Sequence, residues 1–185
     1  DFYTGEKISV TPLAFIIRAV VKALKDYPNF NASLDLQNDK IIYKKYFHIG
    51  IAVDTKHGLM VPKIRNADKK DITTLGKDLK KISKLSSELK INKKEFFGGS
   101  ITISSLGSIG GSFFTPIINQ PEVAILGVGK AEKKQVFMRD KYESRIMLPL
   151  SLSYDHRVID GAEGAKFCVH LKESLGKDFA YKLAV

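Results

Sequence analysis

The sequence contains a single cysteine, Cys168, and no long apolar run. One cysteine excludes a disulfide framework within the chain and fits a reducing compartment. No apolar stretch reaches the ~18 residues that a membrane span needs, and no signal peptide opens the chain, so we expect a soluble protein without membrane contact. Cys168 lies in an apolar helical pattern, which predicts a buried thiol and not a nucleophile.

Sequence patterns for several kinds of site are also absent. The four histidines are widely spaced without an HxH or HExxH pair, and one cysteine cannot build a zinc cluster, so no metal site is expected. No G-x-S-x-G elbow occurs, which disfavours a serine hydrolase. The glycines of "SLGSIGG" and "LGVGK" match neither a dinucleotide-binding nor a Walker pattern and are typical of turns.

The composition favours one globular domain. The chain has 185 residues, of which 44% are hydrophobic, and this is enough for one substantial core. The formal net charge of +10 favours anionic partners. The lysines are scattered and do not alternate with aromatic residues, so nucleic-acid binding is not expected.

Hydrophobic periodicity predicts a mixture of helices and strands. Helical spacing is found in "TPLAFIIRAVVKALKDYP" and in residues 71–89 and 162–175. Residues 40–53 predict one long strand, or two strands joined by a bend near Tyr46. Further strands are predicted in "HGLMVPKI", where Pro62 favours an edge position, and in "SITIS", "PEVAILGVGK" and "SRIMLPLSLSY". Because these elements do not alternate regularly, we expect an α/β fold with a mixed sheet covered by helices.

His156 in "SLSYDHRVIDG" is the first candidate for chemistry. The alternation in "MLPLSLSYDH" places His156 on the apolar face of a strand, provided that the strand extends that far. Burial on that face would keep the imidazole neutral and able to accept a proton. A hydrogen-bonded packing residue at the end of a strand is the alternative interpretation.

Asp160 and Ser104 are two further candidates. Asp160 precedes a helical pattern and can cap it, with Glu163 at the third position of a capping box, and this role is compatible with a supporting role in catalysis. Ser104 shares a polar face with Thr102 on the "SITIS" strand, which can present hydroxyl groups to a site.

Three longer stretches, "ITISSLGSIGG", "FTPIINQPEVAILGVGKA" and "LPLSLSYDHRVIDGAEGAKF", carry a family resemblance. Together they resemble the catalytic domain of the dihydrolipoamide acyltransferases of 2-oxo acid dehydrogenase complexes, and most closely its acetyltransferase branch in bacterial pyruvate dehydrogenase complexes. The resemblance begins near "SVTPLAFIIRAV" and covers nearly the whole chain. It implies a fold like that of chloramphenicol acetyltransferase. It also implies that residues 1–185 are a catalytic domain without its N-terminal segment and without the lipoyl and peripheral-subunit-binding domains.

The same resemblance implies a site and its substrates. His156 falls on the family's histidine and would act as general base, Ser104 would donate a hydrogen bond to the oxyanion, and Asp160 would hold the site in shape. Coenzyme A would be a substrate, and the lipoyl group would be attached to a separate lipoyl domain of the parent chain. An acetyl group would move between these two thiols, and no metal is implied.

The resemblance implies an assembly as well. The chain would form a homotrimer in which His156 and Ser104 meet across a subunit boundary, and the trimers would build a cage of about 24 subunits. The apolar tail "FAYKLAV" is expected to lie against a neighbouring subunit. Through the parent chain, the decarboxylase and dihydrolipoamide dehydrogenase components would be partners. The expected location is the bacterial cytoplasm, with the mitochondrial matrix as the alternative.

Other functions remain open at this point. A succinyltransferase or a branched-chain acyltransferase would need only a different acyl pocket. A scaffold core without activity is disfavoured, because a scaffold would not need His156, Asp160 and Ser104 together. An antibiotic acetyltransferase is disfavoured because "LGSIGG" and "PEVAILGVGKA" match the dehydrogenase-complex branch.

Overall fold

A computed structural model describes residues 10–138 and 140–184 of the chain. Its α-helices are α1 (Pro12–Asp26), α2 (Ile72–Ser87), α3 (Gly161–Ser174) and α4 (Phe179–Ala184). Its strands are β1 (Ala32–Asp35), β2 (Lys40–Tyr43), β3 (Ile49–Ile51), β4 (Val53–Thr55), β5 (Gly58–Met60), β6 (Lys63–Ile64), β7 (Ile101–Ser105), β8 (Ala124–Val128), β9 (Glu132–Met138), β10 (Lys141–Met147) and β11 (Leu150–Tyr154).

A five-stranded mixed sheet organises the fold. Its strand order is β11-β8-β7-β3-β6, with β7 parallel to both β3 and β8 and with β6 and β11 antiparallel to their neighbours at the two edges. Three antiparallel hairpins, β1–β2, β4–β5 and β9–β10, stand beside it. The predicted mixed sheet covered by helices is therefore confirmed.

The structure decides two of the strand predictions, the one for residues 40–53 and the edge position of Pro62. The first contains two separate strands, β2 and β3, which belong to different sheets, so the bend near Tyr46 is confirmed. Pro62 stands directly before β6, the edge strand of the main sheet, where a missing backbone N–H costs little.

The core lies on one face of the five-stranded sheet. Side chains from α1, α3 and this face form one apolar cluster, in which the sheet contributes Ile49, Ile51, Ile101, Ile103, Leu126 and Val128. Helix α1 supplies the largest helical share because its apolar residues recur every three to four positions. Each large side chain buried in this way stabilises the fold by about 1.5–3 kcal/mol relative to an exposed one.

The C-terminal tail packs on its own chain. The ring of Phe179 meets the ring of Phe15 edge to face at 5.1 Å between centroids, and Leu183 is buried in the core cluster. Tyr181 is exposed, and Val185 lies outside the described residues. The expectation that this tail is buried against a neighbour is wrong for Leu183, which is buried within its own chain, whereas Phe179 is 37% exposed and for it the expectation stays a prediction.

No helix in the described part of the chain is both long and apolar enough to cross a membrane.

Candidate active site

Ser104 lies on the face of the main sheet that is opposite the core. In the register it pairs with Gly127 of β8, which in turn pairs with Ser151 of β11. Since side chains alternate along a strand, Thr102 points to the same face as Ser104, whereas Ile101 and Ile103 point into the core. Ser104 is half-buried, so its hydroxyl lies near the surface of this polar face.

A buried polar cluster surrounds Thr102 on the same face. The Glu122 carboxylate accepts hydrogen bonds from Lys63 Nζ at 2.6 Å, from Thr102 Oγ1 at 2.5 Å and from Asn119 Nδ2 at 3.3 Å. Lys44 Nζ donates to the carbonyl oxygens of Ala32 and Gly99 at the edge of this cluster. Burial lowers the pKa of Lys44 to about 8, although the negative charge of Glu122 opposes the shift. The Thr102 hydroxyl is therefore used within the buried cluster. The Ser104 hydroxyl, on the same face of the strand, remains available for a site.

The position of His156 differs from the one predicted. Strand β11 ends at Tyr154, and His156 stands exposed in the turn that follows. Hydrogen bonds to Asp155 hold this turn. The Asp155 carbonyl oxygen accepts from the backbone N–H groups of Val158 and Ile159. The Asp155 carboxylate accepts from the backbone N–H and the guanidinium of Arg157. These bonds to Arg157 hold the pKa of Asp155 below its usual value. The expectation that His156 points to the apolar side of a strand, and is buried there within its own chain, is wrong.

Asp160 caps α3 as predicted. Its Oδ1 accepts a hydrogen bond of 2.7 Å from the backbone N–H of Glu163. The reciprocal half of a capping box is not formed, because the Glu163 carboxylate accepts from Asn29 Nδ2 instead. Asp160 thus fixes the point at which the His156 turn passes into a rigid helix.

Within one chain, Ser104 and His156 do not meet. Asp155 N–H still bonds to Val123 O across the sheet, so the chain remains in register from Ser151 to Asp155, a distance of roughly 13 Å along the strand. Strand β8 lies between β11 and β7, which adds roughly 10 Å across the sheet. The backbones of Ser104 and Asp155 are therefore roughly 16 Å apart, and His156 follows Asp155 in a turn that leads away from the sheet strand, which is too far for one reacting carbon to contact both side chains.

A long segment without helix or strand, residues 106–121, crosses the polar face beside Ser104; we call it the 106–121 loop. The ring of Phe114 in this loop lies on Gly127: a Cβ atom at Gly127 would be only 2.9 Å from the ring. Because Gly127 is the direct neighbour of Ser104, the Phe114 ring borders the space next to the Ser104 hydroxyl. A side chain at position 127 would force the Phe114 ring to shift.

A cavity of about 1050 Å³ opens at the carboxyl end of β7. Ser105 lines it, together with apolar side chains of α1 and the sheet, and Lys80 and Lys84 of α2 belong to its wall. Such a cavity, mostly apolar with a few charged groups, has the character of a site for an extended organic molecule with an anionic end.

Cys168 is exposed on α3, which corrects the prediction of a buried core thiol. The buried residues of this helix are Gly164, Phe167, Leu171 and Ser174, so the core stripe passes to one side of Cys168. Partial burial of the thiol still raises its pKa, which lowers its reactivity. Residues 10–138 and 140–184 contain no group of three or more His, Cys, Asp or Glu side chains that could hold a metal ion.

Sequence reasoning missed three residues on the polar face of the sheet: Lys63 and Glu122 beside Thr102, and Phe114 beside Gly127. Lys63 and Glu122 each stood next to apolar strand sequence, and a charged residue at the edge of such a run is the signal that could have paired them. Phe114 lies in a loop without periodicity, so no local pattern indicated that its ring covers Gly127.

The chain matches the model of the 2-oxoacid dehydrogenases acyltransferase (catalytic domain) family over residues 2–180. It is 51% identical over 168 residues to the dihydrolipoyllysine-residue acetyltransferase component of the pyruvate dehydrogenase complex of Cupriavidus necator. That alignment covers 91% of this chain but 30% of the relative, so the chain spans less than a third of that protein's length.

Solved structures show the same fold. The Azotobacter vinelandii dihydrolipoamide acetyltransferase, from work on a serine, a histidine and an asparagine in its catalytic mechanism, superposes with a TM-score of 0.91 at 46% identity, over 95% of this chain and 72% of that one. The cubic core of the pyruvate dehydrogenase multienzyme complex gives a TM-score of 0.91 at 45% identity, with the same coverage.

Chloramphenicol acetyltransferase, at 15% identity and a TM-score of 0.60 over 90% of this chain and 78% of its own, shares the fold alone, and the fold implied by the sequence is confirmed. The family match over nearly the whole chain agrees with the close structural matches, and on these grounds the chain belongs to the acyltransferase catalytic-domain family of the 2-oxoacid dehydrogenases.

Proposed function

We propose that this chain transfers an acetyl group between a dihydrolipoyl thiol and coenzyme A in the core of a pyruvate dehydrogenase complex. The observation that carries the proposal is a spacing. In the Azotobacter vinelandii enzyme the serine, the histidine and the asparagine under study are 52 and then 4 positions apart. Ser104, His156 and Asp160 have the same spacing, with aspartate in the third place.

The chemistry requires a base and an oxyanion donor. A thiol with a pKa near 8.5 is mostly protonated at neutral pH, so His156 would take the proton of the coenzyme A thiol as the sulfur attacks the thioester carbonyl. The new C–S bond gives a tetrahedral oxyanion, and Ser104 Oγ would donate a hydrogen bond to it. The bond to the lipoyl sulfur then breaks, and the proton held by His156 passes to that sulfur.

A homotrimer supports this chemistry better than a single chain. Within one chain the backbones of Ser104 and of Asp155, the residue before His156, are roughly 16 Å apart, and His156 is exposed in its turn. The β9–β10 hairpin also exposes Phe137, Tyr142 and Ile146, which favours burial against another copy. We propose that His156 of one copy meets Ser104 of the next, and that trimers build a larger core, as the cubic core of the related complex suggests.

The Phe114 ring beside Ser104 supports a small acyl group. A ring in that position takes up volume that a branched or dicarboxylic acyl chain would need. Since one methylene changes selectivity by roughly 10- to 200-fold in a tight pocket, acetyl is the substrate that this geometry favours.

The wider setting is part of the same proposal. The lipoyl group would reach the site on a separate lipoyl domain of the longer protein. The decarboxylase and dihydrolipoamide dehydrogenase components would be bound elsewhere on that protein, in the bacterial cytoplasm.

Subunit exchange tests the interfacial site. His156→Ala and Ser104→Ala proteins are mixed in equal amounts, dissociated and reassembled, and acetyl transfer from acetyl-coenzyme A to dihydrolipoamide is measured. In randomly mixed trimers about one quarter of the interfaces combine an intact His156 with an intact Ser104, so about a quarter of wild-type activity should return. Each variant exchanged with itself is the control. No recovery after verified exchange would mean that the two residues do not form one site across the interface.

A further inference from the structure

The Lys63–Glu122 ion pair is buried, although the position of Lys63 at the edge of the sheet does not require it to be. Both side chains are 1% exposed, and Lys63 comes from the edge strand β6, where a lysine could easily reach water. Two glycines leave room for the pair: a Cβ at Gly50 would lie 2.8 Å from Lys63 Nζ, and one at Gly99 would lie 2.0 Å from Glu122 Oε1. Burying two charges is costly, and replacing such a pair by apolar groups is often neutral or stabilising, so stability alone does not explain it.

Glu122 stands directly after the 106–121 loop and fixes its carboxyl end. Its backbone N–H donates to Asn119 O at 3.0 Å, and its carboxylate accepts from Asn119 Nδ2. The other end of the loop is held at Gly111, whose carbonyl accepts from Lys130 N–H at 2.9 Å. Between these two anchors, residues 112–118 make no hydrogen bond to another described residue. The position of this middle part therefore depends on its ends and on packing contacts: that of Phe114 with Gly127, that of the Ser112 backbone with Gly129, and the burial of Pro116.

The contact of Phe114 is the link between the loop and the site. Gly127 and Ser104 are neighbours in adjacent strands, roughly 4.8 Å apart, so a small shift of the ring changes the space next to the Ser104 hydroxyl. Phe113, the preceding residue, is 70% exposed. Phe114 is thus the residue through which a movement of the loop would reach the acyl group.

We propose that the Lys63–Glu122 ion pair is a positioning device: it anchors the 106–121 loop, holds Phe114 on Gly127 and so restricts the acyl group that fits beside Ser104. This inference rests on the acyltransferase function proposed above and assigns to Lys63 and Glu122 a role in acyl selection. Without the ammonium of Lys63, the Glu122 carboxylate is an uncompensated buried charge that gains by moving to water. The carboxyl end of the loop moves with it, and the ring loses its fixed place.

The first experiment measures acyl selectivity in the assembled protein. The ratio of kcat/KM for isobutyryl-coenzyme A to that for acetyl-coenzyme A is determined for wild type, Lys63→Met and Phe114→Ala. We expect this ratio to rise by about 10-fold or more in Phe114→Ala and by about 3- to 10-fold in Lys63→Met. A loss of folded protein lowers both rates together and leaves their ratio unchanged. An unchanged ratio in folded Lys63→Met protein would overturn the proposal.

A double variant tests whether the effect passes through Phe114. In the Phe114→Ala background, adding Lys63→Met should leave the ratio unchanged, because the ring that the ion pair positions is gone. An equal rise in both backgrounds would mean that Lys63 acts by another route, and the proposal would fail. If Lys63→Met does not fold, Glu122→Gln is used instead. This variant removes the negative charge of the ion pair with almost no change in side-chain volume, and it is judged by the same criteria.

Two matched controls accompany these variants. Phe113→Ala removes the exposed neighbouring ring and should leave the ratio unchanged. Lys70→Met breaks the Lys70–Asp78 ion pair, which is 2.5 Å long, has side chains 26% and 28% exposed, and includes no residue of the 106–121 loop. A change in the ratio with either control would mean that the assay does not isolate the proposed anchor.

A second readout requires no turnover. The chain contains no tryptophan, so Phe113→Trp introduces a single reporter next to Phe114. Time-resolved fluorescence anisotropy should show a larger fast component when Lys63→Met is added to this reporter protein, and no change when Lys70→Met is added. Unchanged anisotropy would refute the anchor. If the wild type transferred no acetyl group to dihydrolipoamide, the proposed function would fail while this measurement still judged the anchor.

Discussion

The two faces of strand β7 differ in what they contribute to the protein. Ile101 and Ile103 point into the apolar cluster beneath α1 and are almost fully buried. Thr102 and Ser104 alternate with them and point to the other face. There Thr102 belongs to the polar cluster, and Ser104 lies beside the 106–121 loop. The same five residues thus hold the fold together on one face and prepare a site on the other.

The comparison teaches that stability and chemistry can be separated residue by residue along one strand. A substitution on the core face removes buried contacts and lowers the free energy of unfolding. A substitution of Ser104 on the polar face, or in the turn that carries His156, removes a group that few buried contacts depend on. The following changes test this division, in order of expected effect.

His156→Ala should cause the largest loss of activity. Removing a general base lowers kcat by about 10²- to 10⁴-fold, whereas the free energy of unfolding should hardly change because the side chain is exposed. Steady-state acetyl transfer and urea unfolding measure the two quantities. Near-wild-type turnover would contradict base catalysis by this residue.

Ser104→Ala should lower kcat by about 10²- to 10³-fold, as expected for the loss of one oxyanion donor. Its free energy of unfolding should stay within about 0.5 kcal/mol of wild type, since Ser104 is half-buried and its hydroxyl is not part of the buried polar cluster. Ser105→Ala, on the adjacent residue, is the matched control and should retain most of the activity.

Ile103→Ala should show the opposite pattern to Ser104→Ala. Deleting a fully buried isoleucine side chain costs about 2–5 kcal/mol in the free energy of unfolding, because contacts are lost and a cavity remains. The turnover of the protein that stays folded should fall far less than in Ser104→Ala. Equal losses of turnover in the two variants would show that the faces of β7 are not independent.

The smallest effect, a change in how the free energy of unfolding depends on pH, is expected from Lys44 at the edge of the polar cluster. Its pKa of about 8 in the folded chain lies below the ordinary value of 10.5, so between these pH values the unfolded chain binds more protons and the free energy of unfolding rises with pH. One pKa unit corresponds to about 1.4 kcal/mol, and solvent screening reduces the total rise to about 1–2 kcal/mol. Lys44→Met should lack this rise when both proteins are unfolded in urea at pH 7.5 and pH 10. Parallel pH profiles would refute the shift.

Local patterns in the sequence were sufficient to predict the main elements. Helix α1 has a continuous apolar stripe and a proline at its start, and α3 has Asp160 as its cap, so each begins where local chemistry favours it. Each strand of the main sheet lies in a stretch predicted as strand. The predictions of a single strand in "HGLMVPKI" and in "SRIMLPLSLSY" are wrong, because the first holds β5 and β6 and the second holds the end of β10 and β11. Local rules therefore predict the elements on which the site is built.

The site itself depends on contacts that local patterns do not contain. His156 follows the alternation of β11, but the carboxylate and carbonyl of Asp155 end the strand before it. The pairing of Lys63 with Glu122 joins two segments 59 positions apart, and its place was decided by the space that Gly50 and Gly99 leave. Cys168 shared the spacing of apolar residues on α3 but lies outside the stripe that faces the core.

The separation of Ser104 and His156 within one chain has a consequence for how activity depends on concentration. In the proposed interfacial site the base and the oxyanion donor come from different copies, so a lone chain would lack a complete site and each site would form only where two copies meet. Turnover per chain should then decline on dilution below the dissociation constant of the subunits, while each folded chain remains intact. A newly made chain would acquire the ability to react with acyl thioesters only on joining its assembly, so that acetyl transfer and assembly are switched on by the same event.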